Sequence, residues 1–161
     1  MSFAKAVFLG IALLVLVLDA WSKSWIVHHM ALYQSIDVIP HLLALTLLHN
    51  TGAAFSLLYS ASGRQRWLFA GIALLVSSGL LVWIARLRPG MELLGVAISL
   101  VLGGALGNLL DRLRLGYVVD FIHVYHGSWH FPAFNLADSA ITLGAILLLI
   151  DMLFLEAHRH D

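Results

Sequence analysis

Four apolar stretches of this chain alternate with polar or aromatic-rich connections. They run from Phe3 to about Trp21, from Trp67 to Ala85, from Glu92 to Leu110 and from Leu136 to Leu155. Each is long enough, as a helix rising 1.5 Å per residue, to cross a hydrocarbon core of ~30 Å. The first, with Lys5 near its start, resembles a secretory signal. The residues after it, Asp19-Ala20-Trp21-Ser22-Lys23, hold no small-x-small cleavage site, so it is read as a retained span. Pro89-Gly90 predicts a tight turn between the second and third spans.

The connections 22–66 and 111–135 are the long ones. Residues 41–49 (HLLALTLLH) are apolar on both faces of a strand, which predicts a buried strand or a partly immersed segment. Asn50-Thr51-Gly52 is a turn signal, and Ala53 to Tyr59 is expected to form a short interfacial helix. A fifth span over 41–58 is rejected, because Asn50, Thr51 and Gly52 would lie at its centre. The expected fold is an all-α membrane protein: four transmembrane helices, a small extramembrane platform containing β-structure, and that interfacial helix. The whole chain, 1–161, is expected to be one domain. In the third span Gly95, Ser99, Gly103 and Gly107 recur every four residues, a stripe that lets helix backbones approach closely in lipid. That helix is expected at the centre of the bundle.

Composition strengthens this picture. Hydrophobic residues make up 61% of the chain and charged residues 11%, where a soluble domain is about half apolar and a quarter charged. The formal net charge is zero, so there is no basic footprint for nucleic acid. The absence of cysteine excludes disulfides, thiolate metal sites and a cysteine nucleophile. Four spans put both termini on one side. The Lys and Arg counts leave open which side that is.

An ionisable group at membrane depth costs several kcal/mol and is a functional candidate by default. Asp19, Asp111, Asp120 and Asp138 qualify. On one straight helix Asp120 and Asp138 would lie roughly 27 Å apart, but Gly127 and Pro132 intervene, so the chain must turn back. Both aspartates are then expected at one membrane face, close enough to share a proton and work as an acid–base pair. Simpler roles compete. Asn135 and Asp138 have the spacing of a helix cap, and Asp120 could pair with Arg112 or Arg114. Asp19 and Lys23 stand at i, i+4 in the favourable order for an ion pair, and Asn108 and Arg112 share that spacing. His123, His126 and His130 have helical spacing, but no HExxH accompanies them and a metal site is not expected. No GxSxG or phosphate loop is present. The same acids could instead serve as the relay of a small proton-linked transporter.

Several ordered blocks carry a more specific resemblance: Asp19-Ala-Trp-Ser-Lys23, Asn50-Thr-Gly-Ala-Ala-Phe55, Gly103-Gly-Ala-Leu-Gly-Asn-Leu-Leu-Asp-Arg112, Val118-Val-Asp120 and Phe134-Asn-Leu-Ala-Asp138-Ser. Together they resemble the signature blocks of the bacterial lipoprotein signal peptidases, the signal peptidase II family. The resemblance implies an intramembrane aspartic endopeptidase that removes signal peptides from diacylglyceryl-modified prolipoproteins, cutting before the lipidated cysteine. It implies Asp120 and Asp138 as the catalytic pair. Asn50, Gly104, Asn108, Asp111, Arg112 and Asn135 would line or support the site, and Asp19 and Lys23 would brace it. It implies no metal or organic cofactor, a globomycin-type inhibitor, a surrounding of membrane lipid and a monomeric enzyme. It also implies the inner membrane, with both termini cytoplasmic, the long connections periplasmic and the site near the periplasmic face.

Overall fold

The computed structural model describes residues 2–52 and 64–155. Four helices are long and apolar enough to cross a membrane: α1 (Phe3–His29), α2 (Arg64–Arg86), α3 (Glu92–Arg114) and α4 (Leu136–Ile150), the last continuing as a π-helical stretch, Asp151–Leu155. Helix α3 is the central one. It packs on each of the other three and is mostly buried, while they present most of their surface outward.

The small-residue stripe explains that position. A side chain on Gly95 would collide with the ring of Phe8, and one on Gly103 with the Ala12 carbonyl and Val15, so α1 lies directly on these glycines. Gly104 sits beside the stripe and faces α4: a Cβ there would come within 2.4 Å of the Ala137 carbonyl oxygen. Around these contacts Phe8, Ala12, Leu80, Ile84, Leu94, Ile98 and Leu102 form the apolar core of the bundle.

Two helices run past their apolar stretches. Helix α1 extends beyond Trp21 to His29, and α3 beyond Leu110 to Arg114. The overruns carry Lys23, Asp111 and Arg112. Backbone hydrogen bonding continues a helix wherever its polar side chains find partners, and Lys23 and Asp111 find each other.

The helix ends meet a four-stranded antiparallel sheet, β1 (Ser35–Ile39), β2 (Leu43–Asn50), β3 (Val118–His126) and β4 (Trp129–His130), in the order β1-β2-β3-β4. The apolar 41–49 segment is thus mainly a strand, with Ala44 and Leu47 buried. The second connection supplies half of the sheet. Its run VVDFIHVYH, rich in β-branched and aromatic residues, pairs with β2 so that Asp120 lies opposite Leu48 and Val118 opposite Asn50. Ile26 of α1 and Met30, the residue that ends it, pack with Leu47, Val119 and Phe121 to seat the sheet on the bundle. The interfacial helix expected at Ala53 to Tyr59 lies outside the described residues.

Candidate active site

The site begins with the turn into α4. Asn135 caps that helix: its side-chain oxygen accepts the Asp138 N–H at 2.9 Å, and Asp138 Oδ2 accepts the Asn135 N–H at 3.3 Å. This capping box satisfies backbone groups that helix starts leave open. The cap and the chemistry are not alternatives, because the cap fixes the position of the Asp138 carboxylate. The same Asn135 donates its Nδ2–H to Asp120 Oδ1 at 2.7 Å. One residue therefore ties the first turn of α4 to the carboxylate on β3. Asn50, at the end of β2, donates to the other Asp120 oxygen at 2.9 Å. Asn108 of α3 donates to Asp138 Oδ1 at 2.7 Å and accepts from Asn135 at 3.2 Å.

Asp120 is 2% exposed. Burial pushes its carboxyl up to about 6, and the nearby charge of Asp138 pushes the same way, against the hydrogen bonds from Asn50 and Asn135 that favour the ionised form.

Behind the pair stands a buried ion cluster. The Lys23 ammonium has three N–H donors, and it finds three acceptors: Asp19 Oδ2 at 2.7 Å, Asp111 Oδ2 at 2.9 Å and Asn108 Oδ1 at 3.1 Å. Each of the two carboxylates also holds a backbone N–H. Asp19 accepts from Ala137 at 2.9 Å and Asp111 accepts from Val119 at 3.1 Å. Ala137 directly precedes Asp138, and Val119 directly precedes Asp120. The cluster thus grips the chain one residue before each of the paired acids. Gly107 makes room for it, since a Cβ there would come within 2.6 Å of Asp19 Oδ2.

The structure gathers Asn50, Asn108, Asn135, Asp120 and Asp138 in one hydrogen-bonded group, with Asp19, Lys23 and Asp111 directly behind it. Gly104 contributes through helix packing and touches neither carboxylate. Arg112 is half-buried, donates to the Asn108 carbonyl at 3.2 Å and lies over the Phe69 ring at 5.4 Å. Among the described residues no ion pair joins Asp120 to Arg112 or Arg114. Ser139 donates to the Asn135 carbonyl, a helix-start bond. The three histidines are not on a helix: His123 and His126 lie three apart on β3, an odd separation that sends them to opposite faces. His123 instead meets His130, nitrogen to nitrogen at 3.2 Å. Among the described residues no group of three or more metal-ligating side chains is assembled.

One neighbour escaped sequence reasoning. Phe69 packs its ring against Gly52, where a Cβ would come within 2.6 Å of it, and carries Arg112 on its face. Gly52 has φ of +82°, which the turn signal at 50–52 foreshadowed. Phe69 left no signal, because an aromatic ring in an apolar span does not stand out from its pattern.

Comparison with known proteins gives the family. The family model for signal peptidase (SPase) II matches residues 11–154. The lipoprotein signal peptidase of Pseudomonas aeruginosa PAO1 is 56% identical over 151 residues, covering 93% of this chain and 89% of its own. That of Acinetobacter baumannii strain SDF is 57% identical over 154 residues, covering 95% and 86%. A solved structure described as "Bacterial membrane enzyme structure by the in meso method at 1.9 A resolution" superposes with a TM-score of 0.82 at 35% identity, covering 92% of this chain and 94% of its own. A second, at 2.3 Å resolution, gives 0.79 at the same identity, covering 92% and 88%. The class is an intramembrane aspartic peptidase, a multi-pass enzyme of the bacterial inner membrane. The chain belongs to the signal peptidase II family.

Proposed function

We propose that Asp120 and Asp138 are the catalytic pair with which this peptidase removes signal peptides from prolipoproteins, cutting before a cysteine that already carries diacylglyceryl. The observation that carries this reading is the bridge through Asn135, whose side chain holds one carboxylate and whose backbone N–H holds the other. The reactive form of the pair holds one proton, carried on Asp120, whose carboxyl burial pushes up to about 6. Asp138 takes a proton from water as its oxygen attacks the scissile carbonyl, and Asp120 gives its proton to the carbonyl oxygen. The resulting gem-diol then collapses: Asp138 passes its proton to the leaving amine as the C–N bond breaks, and a hydroxyl proton returns to Asp120. Asn50, Asn108 and Asn135 orient the carboxylates. Arg112, at the edge of the site, holds the substrate backbone or lipid ester.

The preference for lipidated substrates follows from the site's depth. Burial of acyl chains in the adjoining bilayer contributes about 0.8 kcal/mol per CH₂, which a bare signal peptide cannot match. A globomycin-type cyclic peptide inhibits by taking the substrate's place over the two carboxylates. The whole chain acts as one monomeric domain, with the termini cytoplasmic and the connections 22–66 and 111–135 periplasmic. The sheet and the carboxylate group lie at one end of the bundle while α2 and α3 turn at Pro89-Gly90 at the other, which fits a site and termini on opposite faces.

The test is cleavage of a diacylglyceryl-prolipoprotein by purified protein. Asp120→Asn and Asp138→Asn are each expected to lower kcat by at least ~100-fold, the scale of losing a general acid or base, while the protein still melts cooperatively. Near wild-type cleavage by either variant would remove that residue from the reaction.

A further inference from the structure

The two faces of strand β3 carry different chemistry. Asp120 faces the bundle, and His123, an odd number of residues further on, stands on the other face. Groups with no part in the peptidase site meet on that outer face. Tyr125 lies opposite His130 of β4 in the antiparallel register. His123 is then the diagonal neighbour of His130, a separation that aromatic and long side chains can bridge. Their nitrogens do meet: His123 Nε2 lies 3.2 Å from His130 Nδ1, with the ring centres 5.2 Å apart. The centres stand well outside the nitrogens, so the rings approach edge to edge and not face to face.

Both rings are held from behind. His123 Nδ1 stands 3.3 Å from Thr46 Oγ1 on β2, and that hydroxyl is 2.7 Å from Ser35 Oγ on β1. A hydroxyl can accept one hydrogen bond and donate another. A run of donors from His123 Nδ1–H through Thr46 to Ser35 leaves the His123 Nε2 lone pair directed at His130. The His130 ring lies nearly parallel to that of Tyr125, at 5.7 Å and 9°, and the Tyr125 hydroxyl donates to Asp37 at 2.7 Å. A histidine whose far N–H is fixed by a hydrogen bond has the tautomer and orientation of a metal ligand.

We infer that His123 Nε2 and His130 Nδ1 chelate one zinc ion, whose other positions are filled by water. Two nitrogens bound at ~2.0–2.1 Å to a tetrahedral ion lie ~3.3–3.4 Å apart, and their ring centres ~5.2 Å apart. The observed 3.2 Å and 5.2 Å match that pair of values. Ligands at the right angle of an octahedral or square-planar ion would bring the ring centres to ~4.5 Å. Calcium and magnesium take oxygen ligands and are not served by two imidazoles. His126, three residues beyond His123, lies on the opposite face and adds no third ligand. Without metal one N–H···N bond joins the two rings. Zinc replaces it as the His130 proton moves to Nε2, so no proton is lost. The ion ties β4 to β3 on the face away from Asp120. It steadies the sheet, takes no part in peptide cleavage and does not depend on the peptidase reading.

Chelator-treated full-length protein without an added histidine tag is titrated in detergent with zinc chloride by isothermal titration calorimetry, with magnesium chloride as the control. Wild-type protein is expected to take up one zinc ion with micromolar affinity and no magnesium. His130→Gln removes a ligand and is expected to weaken that site ~100-fold. Thr46→Val removes only the acceptor behind His123 and is expected to weaken it ~10-fold, the two ends of the range for losses at a metal site. His130 is exposed on the edge strand, so its variant is expected to melt with the wild type when zinc is absent. Equal zinc affinity in wild type and His130→Gln, or no uptake at millimolar zinc, would overturn the inference and leave the pair as a hydrogen bond between two rings.

Discussion

Lys23 decides more of this site than either of the paired acids does. Its ammonium is set between Asp19 and Asp111, and all three groups are largely out of water. Removing one partner of a buried ion group strands the others and costs about 3–5 kcal/mol. Lys23→Met is therefore expected to lower the melting temperature in detergent sharply and to abolish cleavage. Adding Asp19→Asn and Asp111→Asn to it should recover part of the stability, because the stranded charges are gone. A second expectation concerns pH. Asp120 is pushed up to about 6 by burial first and by the Asp138 charge as well. The free enzyme loses the Asp120 proton as pH rises through that value, so kcat/KM is expected to fall on that side. The pair titrates as a unit, and the measured limb belongs to both acids. Asn50 stabilises the ionised form, so Asn50→Ala is expected to move the limb to higher pH. A limb that stayed in place would detach it from Asp120.

At the scale of elements, helix contact is set by what is missing from α3. In lipid, packing substitutes for the hydrophobic drive between helices, and close backbone approach is what packing requires. Gly104 and Gly10 separate that effect from glycine content as such. A Cβ on Gly104 would press on the Ala137 backbone, one residue before Asp138, whereas one on Gly10 meets nothing within 4 Å. Gly104→Ala is expected to lower both stability and cleavage. Gly10→Ala is expected to leave cleavage unchanged and stability equal or slightly raised, since alanine is the better helix former. Thermal melting and a cleavage assay on the two variants make the comparison. The sheet is equally specific in what it positions. Its strand β3 presents Asp120 inward, and the neighbours Val119 and Phe121 pack against α1 and β2.

For the whole molecule, the question is which way the bundle stands in the membrane. The sequence contains no cysteine, so single cysteines report position without background. Ile39, exposed at the end of β1, and Arg86, exposed at the end of α2, lie at opposite ends of the bundle. In right-side-out spheroplasts a membrane-impermeant maleimide is expected to label Ile39→Cys and spare Arg86→Cys. The reverse pattern would turn the enzyme over and put the proposed catalytic pair at the cytoplasmic face.

The chain's own order of residues determined four spans, a turn at Asn50 to Gly52, a helix cap at Asn135 and a small set of acids that lipid disfavours. These are local properties: apolar length, φ-permissive residues and the cost of charge in lipid can each be read within one window. The blocks around Asp120 and Asp138 also carried the family. Only the tertiary structure decided that α1 continues to bring Lys23 under the site, and that Asp120 rides on a strand rather than in a loop. It alone showed that Asp19 and Asp111 hold the backbone one residue ahead of each paired acid. Lys23 meets Asn108 across 85 residues of sequence. No periodicity encodes such a contact, because it exists only once α1 has settled on the glycine face of α3 and the second connection has folded back as a strand.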